Sequence, residues 1–251
     1  MVRTGDDGVP EPRAAATVLL LRDDPFQVLM VRRRRGGVFS NALVFPGGVI
    51  EPSDADDAWL PLLTGAASLD PDARAARVGG VRETFEEASI LVARLPDGSP
   101  ITPGPPDDGS DFLELVRRRG AVLPLDELHP AGRWITPVGE PRRFDAQFLL
   151  CRAPEGQLAR QDDGETVGFE WAAPQQVLDR AAAGERDILF PTLMNLRRLA
   201  ESGTVDQAMA AADARPSIVV EPVLRREGGR AIVTIPAELG FGVTEHVVAQ
   251  T

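Results

Sequence analysis

Three glutamates near the middle of the chain have the types and spacing needed to hold a divalent cation. Glu83, Glu86 and Glu87 fall in the segment RETFEEASI, residues 82–90. Offsets of three and four residues bring side chains together on one side of an α-helix. Clustered carboxylates repel one another unless a cation neutralises them, and Mg²⁺ binds few protein carboxylates while keeping waters and phosphate oxygens. The spacing therefore predicts a metal site that can bridge to a diphosphate.

A glycine pair upstream supports a catalytic interpretation of these acids. The segment FPGGVIEPSD contains Gly47 and Gly48, which we expect in a loop whose exposed backbone amides closely approach a substrate. We expect Arg82 to pair with a glutamate and to orient it for substrate binding. Taken alone, RETFEEA is equally typical of a solvated acidic helix face. The glycine segment favours catalysis.

Together, the two segments resemble the Nudix box, G-x5-E-x7-R-E-U-x-E-E-x-G-U, in which U is a bulky apolar residue. Asp54 occupies the first glutamate position, and 27 residues separate it from Arg82 where the pattern has seven. Ser89 replaces the last glycine, and Thr84 occupies a usually more apolar position. Glu51 and Asp54 fit solvated loop acids and groups that support the site equally well.

The resemblance implies a fold and a reaction. The fold is α/β, an α/β/α sandwich with a mixed sheet and the Nudix helix on one face. The reaction is hydrolysis of a phosphoanhydride by metal-activated water, with Mg²⁺, or Mn²⁺ in its place, as cofactor. Glu83, Glu86 and Glu87 become metal ligands and catalytic residues. Glu165, six residues before Trp171 in GETVGFEW, is similar to a loop glutamate that serves some Nudix enzymes as base or as an additional metal ligand. A loop acid without a role fits equally well.

Three longer stretches resemble the coenzyme A diphosphatase branch of the family, which carries an insertion inside the box. They are VFPGGVIEPSDADDAW, WITPVGEPRRFDAQFLL and ETVGFEW. This resemblance implies cleavage of coenzyme A or acyl-CoA into 3′,5′-ADP and a phosphopantetheine. The LLTxRS-type run of other members is not evident in VLMVRRRRGGVFSN. Two alternatives stay open: a hydrolase of another nucleoside diphosphate derivative, such as a nucleotide sugar or dinucleotide, and a Nudix-fold regulator that binds nucleotides without cleaving them.

Arginines near these segments could bind substrate phosphates. Arg142 and Arg143 begin an apolar strand, and residues 32–35 are all arginine. Guanidinium groups bind phosphate through paired hydrogen bonds, although a solubilising strand end explains each arginine as well. Trp134 fits either adenine stacking or the core, and core packing is the stronger interpretation. We assign no catalytic role to His129.

Secondary structure follows from hydrophobic periodicity. Val81, Phe85, Ala88 and Val92 recur with the spacing of one helical stripe, which places the three glutamates roughly opposite the core contact. That helix should begin near Pro71 or Asp72. Apolar runs, turn residues and prolines at first helical turns predict the other elements. Strands are expected at 14–22, 27–33, 133–137, 143–151 and 167–172, and helices in DFLELVRRRG, from Pro174, from Pro191 and at 205–213.

We divide the chain into a Nudix domain and a C-terminal extension. The domain spans residues 10–201, with the insertion at about 55–78, and the extension spans 202–251 and packs on it. The extension contains SIVVEPVL and RAIVTIP on either side of a turn, which predicts a β-hairpin.

Composition limits the partners. The net charge of −11 argues against a nucleic-acid or anionic-membrane surface, but it does not name the substrate. The resemblance implies a small-molecule diphosphate such as acyl-CoA. The N-terminus is polar and acidic, unlike a signal peptide, and no apolar run is long enough to cross a bilayer. Cys151 lies in an apolar run and reads as a buried residue in a reducing compartment. We therefore expect a cytoplasmic protein, and a homodimer is compatible with this fold class.

Overall fold

A computed structural model describes residues 8–33, 42–101, 111–160 and 166–248, and it contains thirteen strands and five α-helices in those ranges. The strands are β1 Arg13–Arg22, β2 Gln27–Arg33, β3 Leu43–Val44, β4 Gly47–Val49, β5 Leu63–Thr64, β6 Leu123–Pro124, β7 His129–Ile135, β8 Phe144–Arg152, β9 Thr166–Ala172, β10 Val219–Val220, β11 Val223–Glu227, β12 Arg230–Thr234 and β13 Glu245–Val248. The helices are α1 Pro71–Ala88, α2 Phe112–Arg118, α3 Pro174–Ala182, α4 Phe190–Leu199 and α5 Val205–Ala214. The expected order of strands and helices is observed.

The central feature is a mixed sheet in the order β10-β7-β8-β1-β2-β3, in which β4 also pairs with β1 and β9 with β2. Strand β1 lies parallel to β8 and antiparallel to β2 and β4. Its apolar residues are buried on both faces, which explains the near-continuous apolar run in its sequence. The expected α/β sandwich with a mixed sheet is confirmed.

Alternating residues of β1 enter two cores on opposite faces of this sheet. Val18 and Leu20 pack in the same core as Val81 and Phe85 of α1. Leu19 lies in the second core, with residues of α3, α4 and α5. Helix α1 therefore covers one face of the sheet, and α3, α4 and α5 cover the other.

Strands β1 and β2 separate, and β3 and β4 run between them. The β1–β2 register contains Leu21↔Val28 at the closed end of the pair. Further along, β4 pairs with β1 through Ala16↔Gly48, while β3 pairs with β2 through Val31↔Val44. The segment from β3 to β4 is consequently held by both strands, directly under α1.

Helix α1 has well-defined ends, and its C-terminus differs from expectation. Asp70 caps the first turn by accepting a 2.8 Å hydrogen bond from the Ala73 amide. Ser89 ends the helix in the left-handed conformation, with φ 56°. The prediction that Val92 continues the helical stripe was wrong: Val92 lies beyond the helix, although it is buried in the same core. A left-handed residue breaks the helical path, so burial continues without the helix.

The insertion between Asp54 and Arg82 begins with short turns of 3₁₀-helix, which precede α1. Trp59 anchors them, because its indole N–H donates to the Ser53 carbonyl at 2.9 Å and its ring packs on Phe112 of α2. Arg77 is buried in α1 and donates to the Leu125 carbonyl at 3.1 Å. The insertion is therefore part of the core on the α1 face.

The C-terminal segment forms more than the expected hairpin. Strands β11 and β12 pair antiparallel as predicted, and β13 adds a third strand. The stretch SIVVEPVL is not one strand, because it contains both β10 and β11 on either side of Glu221 and Pro222, and β10 joins the main sheet beside β7. Phe241 packs on Trp134, so this segment contributes to the second core. The domain boundary at residue 201 stays a prediction.

We predict that Gly80→Leu destabilises the fold, because Gly80 lies where α1 approaches β1. A β-carbon there would lie 3.0 Å from Val18 Cγ2, so a larger side chain must push the helix away from the sheet. Overpacking of this kind costs about 1–3 kcal/mol of unfolding free energy. Urea denaturation measures the effect. The control is Gly203→Leu at an exposed position, and equal stability of the two variants would contradict the prediction.

Candidate active site

The site is built where the second half of α1 crosses β4. A β-carbon on Gly48 would lie 2.4 Å from the Glu83 carboxylate, so that carboxylate lies directly against the glycine backbone. The amide of Gly47 donates a 2.9 Å hydrogen bond to Glu87 Oε2. Adjacent glycines of β4 thus contact two of the three predicted glutamates.

These contacts correct the expectation that Gly47 and Gly48 form an open loop. Both residues belong to β4, Gly47 is buried, and its N–H already has an acceptor. A β-carbon on Gly47 would lie 2.4 Å from the Ala16 carbonyl oxygen of β1. The glycines are needed because β1 and α1 approach them from two sides. Substrate binding by their amides stays untested, and the geometry gives them a positioning role.

Arg82 connects the acids of the site to one another. Its Nη1 donates to Glu83 Oε1 at 3.0 Å and to Glu86 Oε2 at 2.9 Å. Its Nη2 donates to the Val49 carbonyl at 3.0 Å. Burial would lower the pKa of Arg82, but hydrogen bonds and charges from Asp54, Glu83 and Glu86 raise it overall. The guanidinium stays positive and fixes two glutamates on one nitrogen.

Asp54 holds the other side of the Arg82 guanidinium. Its two oxygens accept from Nε at 2.9 Å and from Nη2 at 3.0 Å, and one of them also accepts from the Glu51 amide at 2.8 Å. Only 2% of Asp54 is exposed. The interpretation of Asp54 as a solvated loop acid was wrong, because this carboxylate is enclosed and bonded, whereas Glu51 is exposed. Asp54 therefore orients Arg82.

The three glutamates of α1 differ in their environments. Glu86 is the most open, with 47% of its side chain exposed, against 15% for Glu83. Glu87 is buried, which contradicts the expectation that all three face away from the packed side of the helix. Its contact with the Gly47 amide explains this burial, because β4 meets the helix there.

Burial perturbs two of these acids. Desolvation raises the pKa of Glu83 from its ordinary 4.5 to about 6, and the charge of Glu86 adds to the rise, although Arg82 opposes it. Desolvation likewise raises the pKa of Glu86, against the opposing charge of Arg82. Both shifts arise mainly from burial, and the charge of Arg82 offsets only part of them.

Comparison with known proteins identifies the family. A family model described as the NUDT19 Nudix domain matches residues 64–199, which is more than half of the chain. The chain belongs to the Nudix hydrolase family. A solved Nudix hydrolase from Alicyclobacillus acidocaldarius is 31% identical, with a TM-score of 0.73, over 82% of this chain and 99% of that one. As a Nudix hydrolase, the protein acts on pyrophosphate linkages of small-molecule substrates.

Two curated relatives are similar over most of this Nudix hydrolase. The acyl-coenzyme A diphosphatase NUDT19 of Gallus gallus is 29% identical over 74% of this chain and 68% of its own length. The protein of the same name from Homo sapiens is 28% identical over 76% of this chain and 62% of its own. The Nudix hydrolase described here thus spans about two thirds of each relative.

The donor set of this Nudix hydrolase fits a divalent cation at an open site. Within the described ranges, no three His, Cys, Asp or Glu side chains already enclose a metal position. Mg²⁺ does not need such a cage, because it uses one or two carboxylates and fills its shell with waters and phosphate oxygens. Among described residues, no donor reaches Glu83 Oε2 or Glu86 Oε1. Contacts among the described residues therefore leave these two oxygens for an incoming ion.

Other residues predicted for the site lie elsewhere or outside the described ranges. Glu165 is not among the described residues, and neither are Arg34 and Arg35. Arg142 is exposed. The Arg143 guanidinium is buried and donates to the Thr136 and Pro10 carbonyls and to Glu221, and its role in substrate binding stays a prediction.

Two further side chains receive structural explanations. Trp134 is a core residue, 3% exposed, with Phe190 and Phe241 against its ring. His129 Nδ1 lies 2.7 Å from Asp213 Oδ1, which ties β7 to α5.

Within the ranges described, no helix is long and apolar enough to cross a membrane.

We predict that Gly48→Ala reduces turnover without unfolding the protein. The added methyl group would overlap the Glu83 carboxylate, so that side chain must leave its place beside Arg82. A displacement of about 1 Å in a catalytic group lowers rates by about 100-fold. Steady-state hydrolysis and thermal melting together check this outcome. Gly203→Ala is the control, and an active Gly48→Ala enzyme would show that Glu83 need not lie there.

We predict that Glu83→Gln is more stable than the wild type at pH 8 in EDTA. Because the folded state raises the pKa of Glu83 from 4.5 to about 6, the wild-type protein loses stability as the pH rises through that interval. The full loss of unfolding free energy across this interval is about 2 kcal/mol. Below pH 4.5 both states of the wild type are protonated and the gain should vanish. Urea titrations at pH 4 and pH 8 measure it; a less stable variant at pH 8 would mean that attraction to Arg82 outweighs desolvation.

Proposed function

We propose that this Nudix hydrolase is a Mg²⁺-dependent diphosphatase acting on coenzyme A or acyl-CoA, with Mn²⁺ as an alternative cofactor. The observation that carries the proposal is the convergence of Glu83, Glu86 and Glu87 on Arg82 and β4. Relatives named acyl-coenzyme A diphosphatase, similar over about three quarters of this chain, support the substrate. The products are 3′,5′-ADP and phosphopantetheine, or its acyl derivative.

The proposed reaction adds water across the diphosphate. The water oxygen bonds to one phosphorus, the bond from that phosphorus to the bridging oxygen breaks, and the water proton goes to a carboxylate. A bound divalent ion supplies Lewis-acid polarisation of the phosphate and lowers the pKa of the water. Glu83, Glu86 and Glu87 are the proposed ligands, and Glu165 is the proposed base.

The positive and negative groups around these ligands have separate tasks. Asp54 and the Val49 carbonyl hold one side of Arg82, so its Nη1 places Glu83 and Glu86 together. Arg82 also keeps two carboxylates close while the cation is absent. Its full set of protein contacts supports an orienting role more strongly than direct substrate binding. The exposed Arg142 remains a proposed phosphate contact.

The proposal is tested by a substrate panel read by mass spectrometry. Coenzyme A, acyl-CoA, NADH, ADP-ribose and diadenosine polyphosphates are each incubated with protein over a Mg²⁺ titration. We expect 3′,5′-ADP from coenzyme A or acyl-CoA only when Mg²⁺ is present. Faster cleavage of another compound would identify that compound, and not coenzyme A, as the substrate. Binding without product at every Mg²⁺ concentration would indicate a regulator.

We predict that Glu86→Gln loses at least about 100-fold in turnover, the scale of a displaced or lost catalytic group. Glu86 is exposed enough that the change should leave the fold intact, because Gln can still accept from Arg82. Hydrolysis and Mg²⁺-induced thermal stabilisation are measured together. Glu114→Gln, an exposed acid on α2, is the control. Wild-type activity in a folded Glu86→Gln protein would refute its assignment as a ligand.

A further inference from the structure

Phe169 lies on the face of the sheet that also carries the carboxylates. In β2, Leu29 packs in the same core as α1, and side chains alternate along a strand, so Val31 faces the same side. The strand register places Phe169 of β9 and Val44 of β3 directly beside Val31. Position 48 of β4 faces the same side, because Glu83 of α1 contacts it.

The environment of Phe169 differs from that of its neighbours. Val31 and Val44 are buried in a small apolar cluster with Ala42, separate from the two main cores. Phe169 is 38% exposed at the margin of this cluster. Since its apolar neighbours are already covered, Phe169 is the apolar group that this cluster leaves exposed. An exposed aromatic ring can pack against a flat ligand group.

Phe169 is also at a suitable distance from the carboxylates. Strand β2 lies between β9 and β3. Two strand spacings, about 10 Å, therefore separate β9 from β3. From Val44 to Gly47 the chain bends at Pro46 as it passes from β2 to β1, and these three residues span at most about 10 Å. Both steps are short enough for an extended nucleoside 5′-diphosphate to reach from the glutamates to the ring.

We propose that Phe169 stacks on the adenine ring of the substrate while the glutamates engage its diphosphate. The inference rests on the proposed function and deepens it by assigning the nucleobase a place. Aromatic rings stack on bases through their π faces with little dependence on hydrogen bonding. Phe169 is accordingly a binding residue that favours nucleoside-containing diphosphates over diphosphates without a base.

The test measures binding of each half of coenzyme A separately. Calorimetry with adenosine 3′,5′-bisphosphate and with 4′-phosphopantetheine, both in Mg²⁺, compares the wild type with Phe169→Leu and Phe169→Trp. We expect Phe169→Leu to weaken the adenosine bisphosphate about 10-fold, as for a lost stacking contact, and to leave phosphopantetheine unchanged. Phe169→Trp retains a ring and should bind within about 2-fold of the wild type, since indole also stacks on bases. Leu60→Ala, at another exposed apolar residue, is the control.

Three outcomes would overturn the inference. They are unchanged adenosine bisphosphate affinity in Phe169→Leu, a selective loss of phosphopantetheine affinity, and no binding of adenosine bisphosphate by the wild type. Hydrolysis is recorded independently with the substrate panel. A wild type that binds the bisphosphate through Phe169 but never cleaves coenzyme A would refute the proposed function while supporting the stacking site, so the two failures are distinguishable.

Discussion

The site depends on one buried guanidinium. Arg82 touches Asp54, Glu83, Glu86 and the Val49 carbonyl, and so joins α1 to the segment that follows β4. A buried charge is costly unless its partners satisfy it, and here those partners are the acids of the site. Arg82 offsets only part of their charge, since burial and mutual repulsion still raise the pKa of Glu83. The same arrangement stabilises the interface and fits the cation that the proposed function requires.

Close backbone approach makes this network possible. Gly48 leaves room for the Glu83 carboxylate, and Gly79 leaves room for Asp54, whose Oδ2 would lie 2.8 Å from an added β-carbon. Gly80 lets the helix approach Val18. Glycine weakens a helix interior by about 1 kcal/mol relative to alanine. The consecutive glycines of α1 therefore lower its intrinsic helicity while allowing the acids to reach β4.

Sequence reasoning predicted the longer strands and the five α-helices, because each depends on local periodicity, and it missed short strands such as β5, β6 and β13. It selected the three glutamates from a specific pattern, and their roles stay predictions. It mistook Gly47 and Gly48 for an open loop, since the pairing of β4 with β1 is a long-range contact that no local pattern reveals. The protein contacts of Arg143 could not be predicted for a similar reason, because its partners Pro10 and Glu221 are distant in the chain. Phe169 could have been noticed from its alternation with Glu170 and Trp171, but its exposure required the packed structure.

The long insertion inside the box leaves the geometry of the site intact for a physical reason. Asp54 and Arg82 meet at 2.9 Å although 27 residues separate them. Loop-closure entropy grows only logarithmically with length, so the additional residues cost little provided that they bury apolar surface. Trp59 does so, and the residues from Pro71 onward extend α1 toward its N-terminus. The insertion can therefore vary in length while Asp54, Arg82 and the glutamates keep their contacts.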